Sequence, residues 1–313
     1  MHMSEKISTF AGKKKQPMRK QQIIPSPLTL KVRYPQPFCE LINNKHYQQE
    51  RMFVGYGNPS AQLLIVGQEV TWNKEEQAAE LEHYCLQNME HWAKNIQQGN
   101  TITVKSQVLY PTDDIHSEAY ENFNPLFPHY FNYNKLDNRV HITEVNGKFT
   151  HQNLKYGANA TWFKYQKLIQ YIYQRPKNEY IDFFHEAFIT ELSGESRRHN
   201  IVVDKTLTLV QQKEQARKQA EATKGSIEKR CPLLNEPFFQ DFPVKIFACG
   251  GYSDKIFPYL YGFEKDEFEK KGWYSILPKD GKLYVCTWQF SAPLISDPML
   301  RALADIVRPY LAQ

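Results

Sequence analysis

A glutamate follows a run of apolar residues at a place where α/β proteins often carry out chemistry. Leu63 to Val66 are four consecutive apolar residues, which is typical of a buried and parallel strand. We expect Gly67 to turn the chain sharply, so that Gln68 and Glu69 lie on the following loop. Open α/β sheets bind ligands at the carboxyl ends of their strands, so Glu69 is a catalytic candidate. The alternative is an ordinary turn in which Glu69 is solvated beside the start of a helix.

Two other polar residues follow apolar runs in a similar way. Glu191 lies near the end of the run at 187–192, and a polar loop containing Arg197 and Arg198 comes next. Gln289 comes shortly after the run at 283–287. Parallel strands have their carboxyl ends at one edge of a sheet, where side chains from different strands can act together.

The elements that must position these residues alternate along the chain. Besides the run at 63–66, we predict strands at 187–192, 244–249 and 283–287. Helices are predicted over about 74–96, 160–174, 207–222, 252–260 and 297–311, with another from about 227. This order predicts an α/β fold with a central four-stranded parallel sheet flanked by helices.

Composition limits the classes of function. The chain has 313 residues and a net charge of +5, which is compatible with nucleic-acid binding without demonstrating it. Its five cysteines lack the close spacing of a metal knuckle, so we expect a reduced, cytoplasmic protein. No apolar run approaches the length of a membrane span. No complete dinucleotide fingerprint, phosphate-binding lysine loop or nucleophile-elbow serine is present.

Two regions differ from the rest. Residues 1–22 are basic and rich in glutamine, which predicts a flexible arm that either tracks phosphates or only aids solubility. Residues 23–313 are expected to form a single domain. Within it, residues 73–157 have a mixed pattern and many aromatic residues, which predicts an insertion that shapes a pocket.

Four segments resemble, in order, the uracil-DNA glycosylase superfamily. Residues 58–69 (NPSAQLLIVGQE) resemble the first motif, a strand ending in Gly-Gln-Asp or Gly-Glu. Residues 188–192 (FITEL) resemble the strand that ends in the base-reading Asn, and residues 229–234 and 245–250 resemble the next helix and strand. Residues 289–294 (QFSAPL) resemble the second motif, His-Pro-Ser followed by Leu. The resemblance covers about half of the chain and excludes residues 73–157 and the basic arm.

The resemblance implies a glycosylase-like fold and hydrolysis of the N-glycosidic bond of a base flipped out of DNA. Glu69 stands at the family's Asp or Asn position, where it would stabilise an oxocarbenium-like sugar and orient water. Gln289 stands at the His position and would donate to the departing base, although an amide cannot act as an acid. Ser291 would bind a DNA phosphate, and Leu294 or Ile295 would wedge into the base stack.

Gln68 belongs to the first motif, and Trp72 falls where the family has a residue that shapes the floor of the pocket. Phe123, in the aromatic insertion, is a candidate to stack on the base. These residues would complete the base-binding site, with packing in the core as the alternative for the two aromatic residues. Arg197 and Arg198 would contact phosphates, with a solvated loop as the alternative.

The implied partner is DNA, and we expect a monomer that does not bind membranes. Only Cys231 falls where the iron–sulfur branch of the family has a ligand, so we predict no iron–sulfur cluster, no metal and no other cofactor.

Glu191 is the main departure from the family. The base-reading Asn offers one donor and one acceptor, which match uracil, whereas an ionised glutamate only accepts hydrogen bonds. A carboxylate suits the amino group of cytosine. Because excision of plain cytosine would destroy the cell's own genome, we predict a modified cytosine. The family includes glycosylases that act on hypermodified cytosines in phage DNA, which makes phage defence a coherent setting.

Several alternatives stay open at this point. Glu191 could be out of register with the base-reading Asn and pair with Arg197 or Arg198. The protein could be an ordinary uracil-DNA glycosylase of base excision repair, or a DNA-binding module that has lost catalysis. A hydrolase of free nucleotides is the weakest alternative, because it would not need the wedge at Leu294.

Overall fold

The computed structural model describes residues 28–31, 34–69, 78–99, 101–104, 125–126, 143–145, 148–150, 160–174, 183–193, 208–250, 260–290, 292 and 294–311. The basic arm expected at residues 1–22 lies outside these residues, as do most of the helix predicted at 252–260 and much of the region 73–157.

The described strands, in chain order, are β1 (Leu28–Lys31), β2 (Tyr56–Gly57), β3 (Leu63–Glu69), β4 (Thr101–Val104), β5 (Thr143–Val145), β6 (Lys148–Thr150), β7 (Ala187–Ser193), β8 (Val244–Phe247), β9 (Glu269–Lys270), β10 (Tyr274–Lys279) and β11 (Lys282–Thr287). The helices are α1 (Gln36–Ile42), α2 (Lys45–Gln49), α3 (Ala78–Leu81), α4 (Asn88–Gln97), α5 (Ala160–Ile172), α6 (Phe183–Glu186), α7 (Leu209–Leu234), α8 (Pro237–Gln240) and α9 (Asp297–Val307). A π-helical turn, Glu82–Leu86, connects α3 to α4, and 3-10 turns occupy Lys265–Glu267 and Arg308–Tyr310.

A mixed sheet of seven strands lies at the centre of the molecule, in the order β2-β7-β3-β8-β11-β10-β9. β3 pairs in parallel with both β7 and β8, and β8 pairs in parallel with β11. The outer strands β2, β10 and β9 are antiparallel to their neighbours. The predicted α/β class is therefore confirmed, but the sheet has seven strands of mixed direction instead of four parallel ones.

The strand β10 was not predicted, although the sequence contains a signal for it. The two-residue turn Asp280-Gly281 joins β10 to β11, and both residues have positive φ angles, 52° and 73°. Asp-Gly is one of the preferred pairs for such a hairpin turn, because both positions require the left-handed region. The hairpin extends the sheet beyond β11.

The core lies on both faces of the sheet. Alternate residues of a strand point to opposite faces, so Leu64 and Val66 pack on one face with α1, α4 and α8. Leu63 and Ile65 pack on the other face with α5 and α9. Trp92 of α4, within the region 73–157, is fully buried in the first core and donates from Nε1 to the carbonyl oxygen of Gly55 at 2.9 Å.

Helix α7 is one continuous helix where the sequence predicted two. Gly225 lies in its interior, at a cost of about 1 kcal/mol relative to alanine. Contacts with β7 hold this part of the helix: the Ser226 and Ser193 hydroxyls are 2.6 Å apart, and Arg230 donates to Thr190. Tertiary contacts therefore outweigh the local break signal. None of the described helices is long and apolar enough to span a membrane.

Candidate active site

Strand β3 continues through Gly67 to Glu69, so the predicted sharp turn at Gly67 is wrong. Gly67 does not have a positive φ angle, and its Cα partner in β7 is Glu191. The pairing with β7 persists to Glu69, whose partner is Ser193, because β3 is held by neighbouring strands on both sides. Gln68 and Glu69 thus belong to the last part of a central strand. For these two residues the structure describes the backbone, and their side chains lie outside the description.

The reason for glycine at position 67 is space. A Cβ atom there would lie 2.7 Å from the carboxyl carbon of Glu191 and closer still to one of its oxygens. A separation below 3.0 Å is essentially never seen for a real Cβ atom. The carboxyl group of Glu191 therefore lies directly against the β3 backbone, two residues before Glu69. Glu69 pairs with Ser193 two residues further on, so the chain positions of Glu69 and Glu191 lie at the same edge of the sheet.

After burial, the negative charge of Glu191 contributes to the raised pKa of three groups, Tyr165, Tyr56 and Cys249. Burial raises the pKa of the Tyr165 phenol well above its ordinary value, and the carboxylate of Glu191 raises it further. Burial is also the largest cause of the raised pKa of Tyr56, followed by Cys85, Tyr84 and then Glu191. The hydroxyl of Tyr56 donates to the Tyr84 carbonyl oxygen at 2.8 Å.

The third neutral group is the thiol of Cys249. Burial and then Glu191 raise its pKa well above the ordinary range, so it stays protonated near neutral pH. Its Sγ donates to the carbonyl oxygens of Val66 and Gly67, at 3.1 and 3.2 Å. The thiol therefore ties the segment after β8 to the end of β3, a structural role.

Arg230 of α7 is a buried cation that contacts Thr190, the residue before Glu191. It is 3% exposed, and it donates from Nη1 to the Phe53 carbonyl oxygen and from Nη2 to Thr190 Oγ1 at 3.0 Å. Burial lowers the pKa of this guanidinium to about 10, and Glu191 acts in the opposite direction. Arg230 is not recognisable as a site residue from the sequence, because a single arginine in a basic helix gives no sign that it is buried.

The loop after β11, residues 288–296, is anchored by two buried side chains. Phe290 is fully buried, and its ring centroid lies 5.1 Å from that of Tyr165. Ile295 is also buried. Between these anchors, the Ala292 amide donates to the Gln289 carbonyl oxygen at 2.9 Å, and the Ile295 amide donates to the Ala292 carbonyl oxygen at 3.3 Å. The described part of this loop thus forms two successive turns, and the buried side chains of Phe290 and Ile295 attach them to the core.

Helix α5 clamps the same loop from the side. Lys164 donates to the Ala292 carbonyl oxygen. Lys167, which is buried, donates to both carboxylate oxygens of Asp297 at 2.7 and 2.8 Å. Tyr171 adds a hydrogen bond to Asp297 at 3.1 Å. These contacts fix both the middle of the loop and the start of α9.

Four side chains in the described part of this loop are exposed: Trp288, Gln289, Leu294 and Ser296. Leu294 is 73% exposed and Trp288 is 42% exposed. Gln289 and Leu294 were predicted site residues, whereas Trp288, which directly precedes Gln289, was not predicted.

The loop and the two carboxylate positions lie at the same edge of the sheet. Only β8 separates β3 from β11, so the ends of these strands are roughly 10 Å apart at about 4.8 Å per strand. Gly250, which follows β8, lies beside the backbone of Gln289. A Cβ atom at position 250 would be 4.0 Å from the backbone nitrogen of Gln289.

Five predicted site residues lie outside the described residues: Trp72, Phe123, Arg197, Arg198 and Ser291. The cysteines are free thiols. Among the described side chains, no three His, Cys, Asp or Glu residues lie together in a way that could hold a metal ion. Comparison with known proteins found no matching family model, no matching curated protein and no matching solved structure.

Proposed function

We propose that the protein is a DNA glycosylase that removes a flipped-out modified cytosine and leaves an abasic site. The proposal is supported by the edge of the sheet at which β7, β3 and β11 end together. That edge carries the carboxyl group of Glu191, the chain position of Glu69 and the anchored loop 288–296. A mixed sheet whose four inner strands are parallel, in the order β7-β3-β8-β11, is also compatible with a glycosylase-like fold.

The observation that carries the proposal is the exposed Leu294 on its fixed loop. Burying a leucine side chain yields about 1.5–3 kcal/mol, and eversion of a base costs a few kcal/mol of unstacking. A leucine inserted into the gap therefore offsets a large part of this cost. Because Phe290 and Ile295 hold the loop, little conformational entropy is lost when Leu294 inserts.

The chemistry follows from the carboxylate at the end of β3. The bond between C1′ and the base nitrogen breaks, and its electron pair leaves with the base. The sugar acquires oxocarbenium character, which the negative charge of Glu69 stabilises. A water oxygen then bonds to C1′ and gives up a proton, and the base gains one from solvent. The amide of Gln289 donates a hydrogen bond to the departing base.

Selection of the base is assigned to Glu191. As a carboxylate it accepts a hydrogen bond from the exocyclic amino group of a cytosine and repels the carbonyl oxygen that uracil has in the same place. The setting we propose is defence against phages whose DNA contains modified cytosine, in which the modification distinguishes foreign DNA from the cell's own.

The first test is incubation of the protein with genomic DNAs that contain plain cytosine, modified cytosine or uracil. We expect alkali-labile breaks in DNA with modified cytosine for the wild type, and none for Glu69→Gln. Glu50→Gln is the matched control, since it removes one exposed carboxylate from the surface beside α2. Breaks in uracil-containing DNA alone would point to a repair glycosylase, and DNA binding without breaks in any DNA would point to a non-catalytic module.

A second test addresses the base. Glu191→Gln replaces an acceptor-only carboxylate by an amide that both donates and accepts. We expect the ratio of excision of modified cytosine to excision of uracil to fall at least tenfold. An unchanged ratio would remove Glu191 from base selection and leave the glycosylase proposal standing.

A further inference from the structure

Helix α5 contacts the loop 288–296 and the start of α9 through one stripe of side chains. Lys164, Lys167 and Tyr171 follow one another at intervals of three and four residues, so they lie on one face of α5. Lys164 donates to the Ala292 carbonyl oxygen, whereas Lys167 and Tyr171 both donate to the carboxylate of Asp297. These contacts form a line that leads from the loop into α9.

Arg301 lies at the far end of this line. It comes four residues after Asp297 and therefore on the same face of α9, roughly 6 Å further along the helix axis. Its guanidinium carbon is 4.1 Å from the centroid of the Tyr171 ring, which is close enough for a cation–π contact. Because the Tyr171 hydroxyl is bonded to Asp297 at 3.1 Å, the ring under the guanidinium is itself held in place.

The positive charge of Arg301 is not balanced by a carboxylate of the same helix. The two carboxylates of α9, Asp297 and Asp305, pair with Lys167 and Arg308. Within the part of the chain that the structure describes, no carboxylate forms an ion pair with Arg301, and the residue is exposed. Its guanidinium thus has N–H donors available for another molecule. A planar guanidinium matches two oxygens of a phosphate with parallel hydrogen bonds.

We propose that Arg301 binds a phosphate of the DNA backbone close to the nucleotide that leaves the stack at Leu294, and that Tyr171 holds the guanidinium ready for this contact. The choice of DNA as the anion rests on the function proposed above. Arg301 lies one helical turn beyond the end of the loop that carries Leu294. Helical side chains lean toward the N-terminus of their helix, which in α9 is the end joined to this loop. With a rise of 3.4 Å per nucleotide in one strand, phosphates within about three nucleotides of the everted base lie in reach.

Such a contact contributes affinity and carries no sequence information. Binding of a phosphate by a cation releases counterions from DNA, and each contact adds about 0.9 to the slope of the logarithm of the binding constant against the logarithm of the salt concentration. Loss of Arg301 should therefore weaken binding to every duplex alike. Ordering of the guanidinium on Tyr171 before binding reduces the side-chain entropy that is lost in the complex.

The test is binding of the full chain to a fluorescent duplex over a range of KCl concentrations. In Arg301→Gln we expect the slope to fall by about 0.9 and the affinity at low salt to fall about fivefold, with and without a modified cytosine in the duplex. Arg301→Lys, which keeps the charge, should retain most of the slope. Lys45→Gln is the matched control, since it removes an exposed cation from α2 on the other face of the sheet and should bind as the wild type does. An equal slope for Arg301→Gln and the wild type would overturn the proposal.

A pair of variants tests the role of the Tyr171 ring. Tyr171→Leu removes the ring and leaves the charge of Arg301, so we expect binding to weaken about threefold. The loss caused by Arg301→Gln should then be smaller in the Tyr171→Leu background than in the wild type, because the two residues act together. Tyr171→Phe keeps the ring and is the control. Equal losses in both backgrounds would overturn the role of Tyr171.

Replacement of single phosphates by uncharged methylphosphonates locates the contact. We expect one phosphate, within about three nucleotides of the modified cytosine, at which the replacement weakens binding by the wild type and not by Arg301→Gln. If the replacement weakens both proteins equally at every phosphate, the assignment of a phosphate to Arg301 is overturned.

The binding and excision assays separate the two proposals. If the slope falls as expected and no DNA loses a base, the proposed function fails while the phosphate contact of Arg301 stands. If modified cytosine is excised and the slope of Arg301→Gln is unchanged, the phosphate contact fails alone. A wild-type protein that binds no duplex even at low salt would overturn both.

Discussion

Gly67 and Glu191 lie opposite each other on neighbouring parallel strands, and the carboxyl group of Glu191 fills the space that a side chain at Gly67 would need. Glycine is thus needed at position 67 to leave space for the Glu191 carboxyl group, and not to let the chain turn. This relationship brings a charged group to the edge of the sheet two residues before Glu69.

Replacement of Gly67 by alanine should displace the carboxyl group and spare the fold. The φ angle of Gly67 is not positive, and the clash involves the end of a flexible side chain, so we expect a stability loss of about 1 kcal/mol. We expect excision to fall at least tenfold, about 1.4 kcal/mol in the barrier. Gly225→Ala in α7 is the matched control, because nothing lies within 4 Å of its Cβ position. It should raise stability and leave excision unchanged, whereas full activity of Gly67→Ala would contradict this interpretation of the contact.

Shortening Leu294 should impair excision from duplex DNA more than from single strands. The wedge offsets the cost of unstacking, which a single strand largely avoids. We expect Leu294→Ala to lower excision from a duplex by about tenfold, equivalent to about 1.4 kcal/mol, and to change excision from a single-stranded oligonucleotide little. Leu209→Ala, which removes another exposed leucine, is the control. Equal losses on both substrates would argue against a wedge.

Lys245 of β8 should make stability depend on pH. It is fully buried and donates to the carbonyl oxygens of Gln240 and Phe242, at 2.9 and 2.7 Å. Burial, followed by the nearby Lys282, lowers its pKa to about 7. The unfolded chain keeps this proton to about pH 10, so it binds more protons than the native state between these pH values. Stability should therefore rise with pH in that window, by at most about 1.4 kcal/mol per pH unit.

Urea denaturation at pH 7, 8 and 9 measures this dependence. The rise should be lost in Lys245→Met and kept in Lys282→Met, since Lys282 donates to the same Gln240 oxygen from a less buried position. A wild-type free energy of unfolding that is flat over this range, or a rise that persists in Lys245→Met, would show that Lys245 is charged in the native state.

The sequence was sufficient for the class of fold and for the existence of the four inner strands, but not for the end of β3, which continues through Gly67 to Glu69. Apolar runs mark β3, β7, β8 and β11 because strands that are buried on both faces need apolar side chains throughout. Because these strands are parallel neighbours, the chain positions of Glu69, Glu191 and the loop after β11 lie at one edge of the sheet. The antiparallel extension at β10 was missed even though Asp280-Gly281 signals a hairpin, since its strand is only partly apolar.

The role of Gly67, the burial of Arg230 and the continuity of helix α7 could not be predicted from the sequence, for physical reasons. A glycine permits both an unusual backbone angle and a close approach, and only coordinates tell which one Gly67 provides. The burial of Arg230 depends on contacts with Phe53 and Thr190, which are distant in the sequence. The single helix α7 arises in the same way, from packing against β7 that no local pattern reveals.

The most direct test of the central claim is the release of free base from a duplex that contains one modified cytosine at a defined position, followed by mass spectrometry under single-turnover conditions. We predict that the wild type and Glu50→Gln release the intact modified base and leave an abasic strand, and that Glu69→Gln does so at least a hundredfold more slowly, a loss of about 2.7 kcal/mol in transition-state stabilisation. Release at the same rate by Glu69→Gln, or no release by the wild type, would contradict the assignment of a glycosylase site to this edge of the sheet.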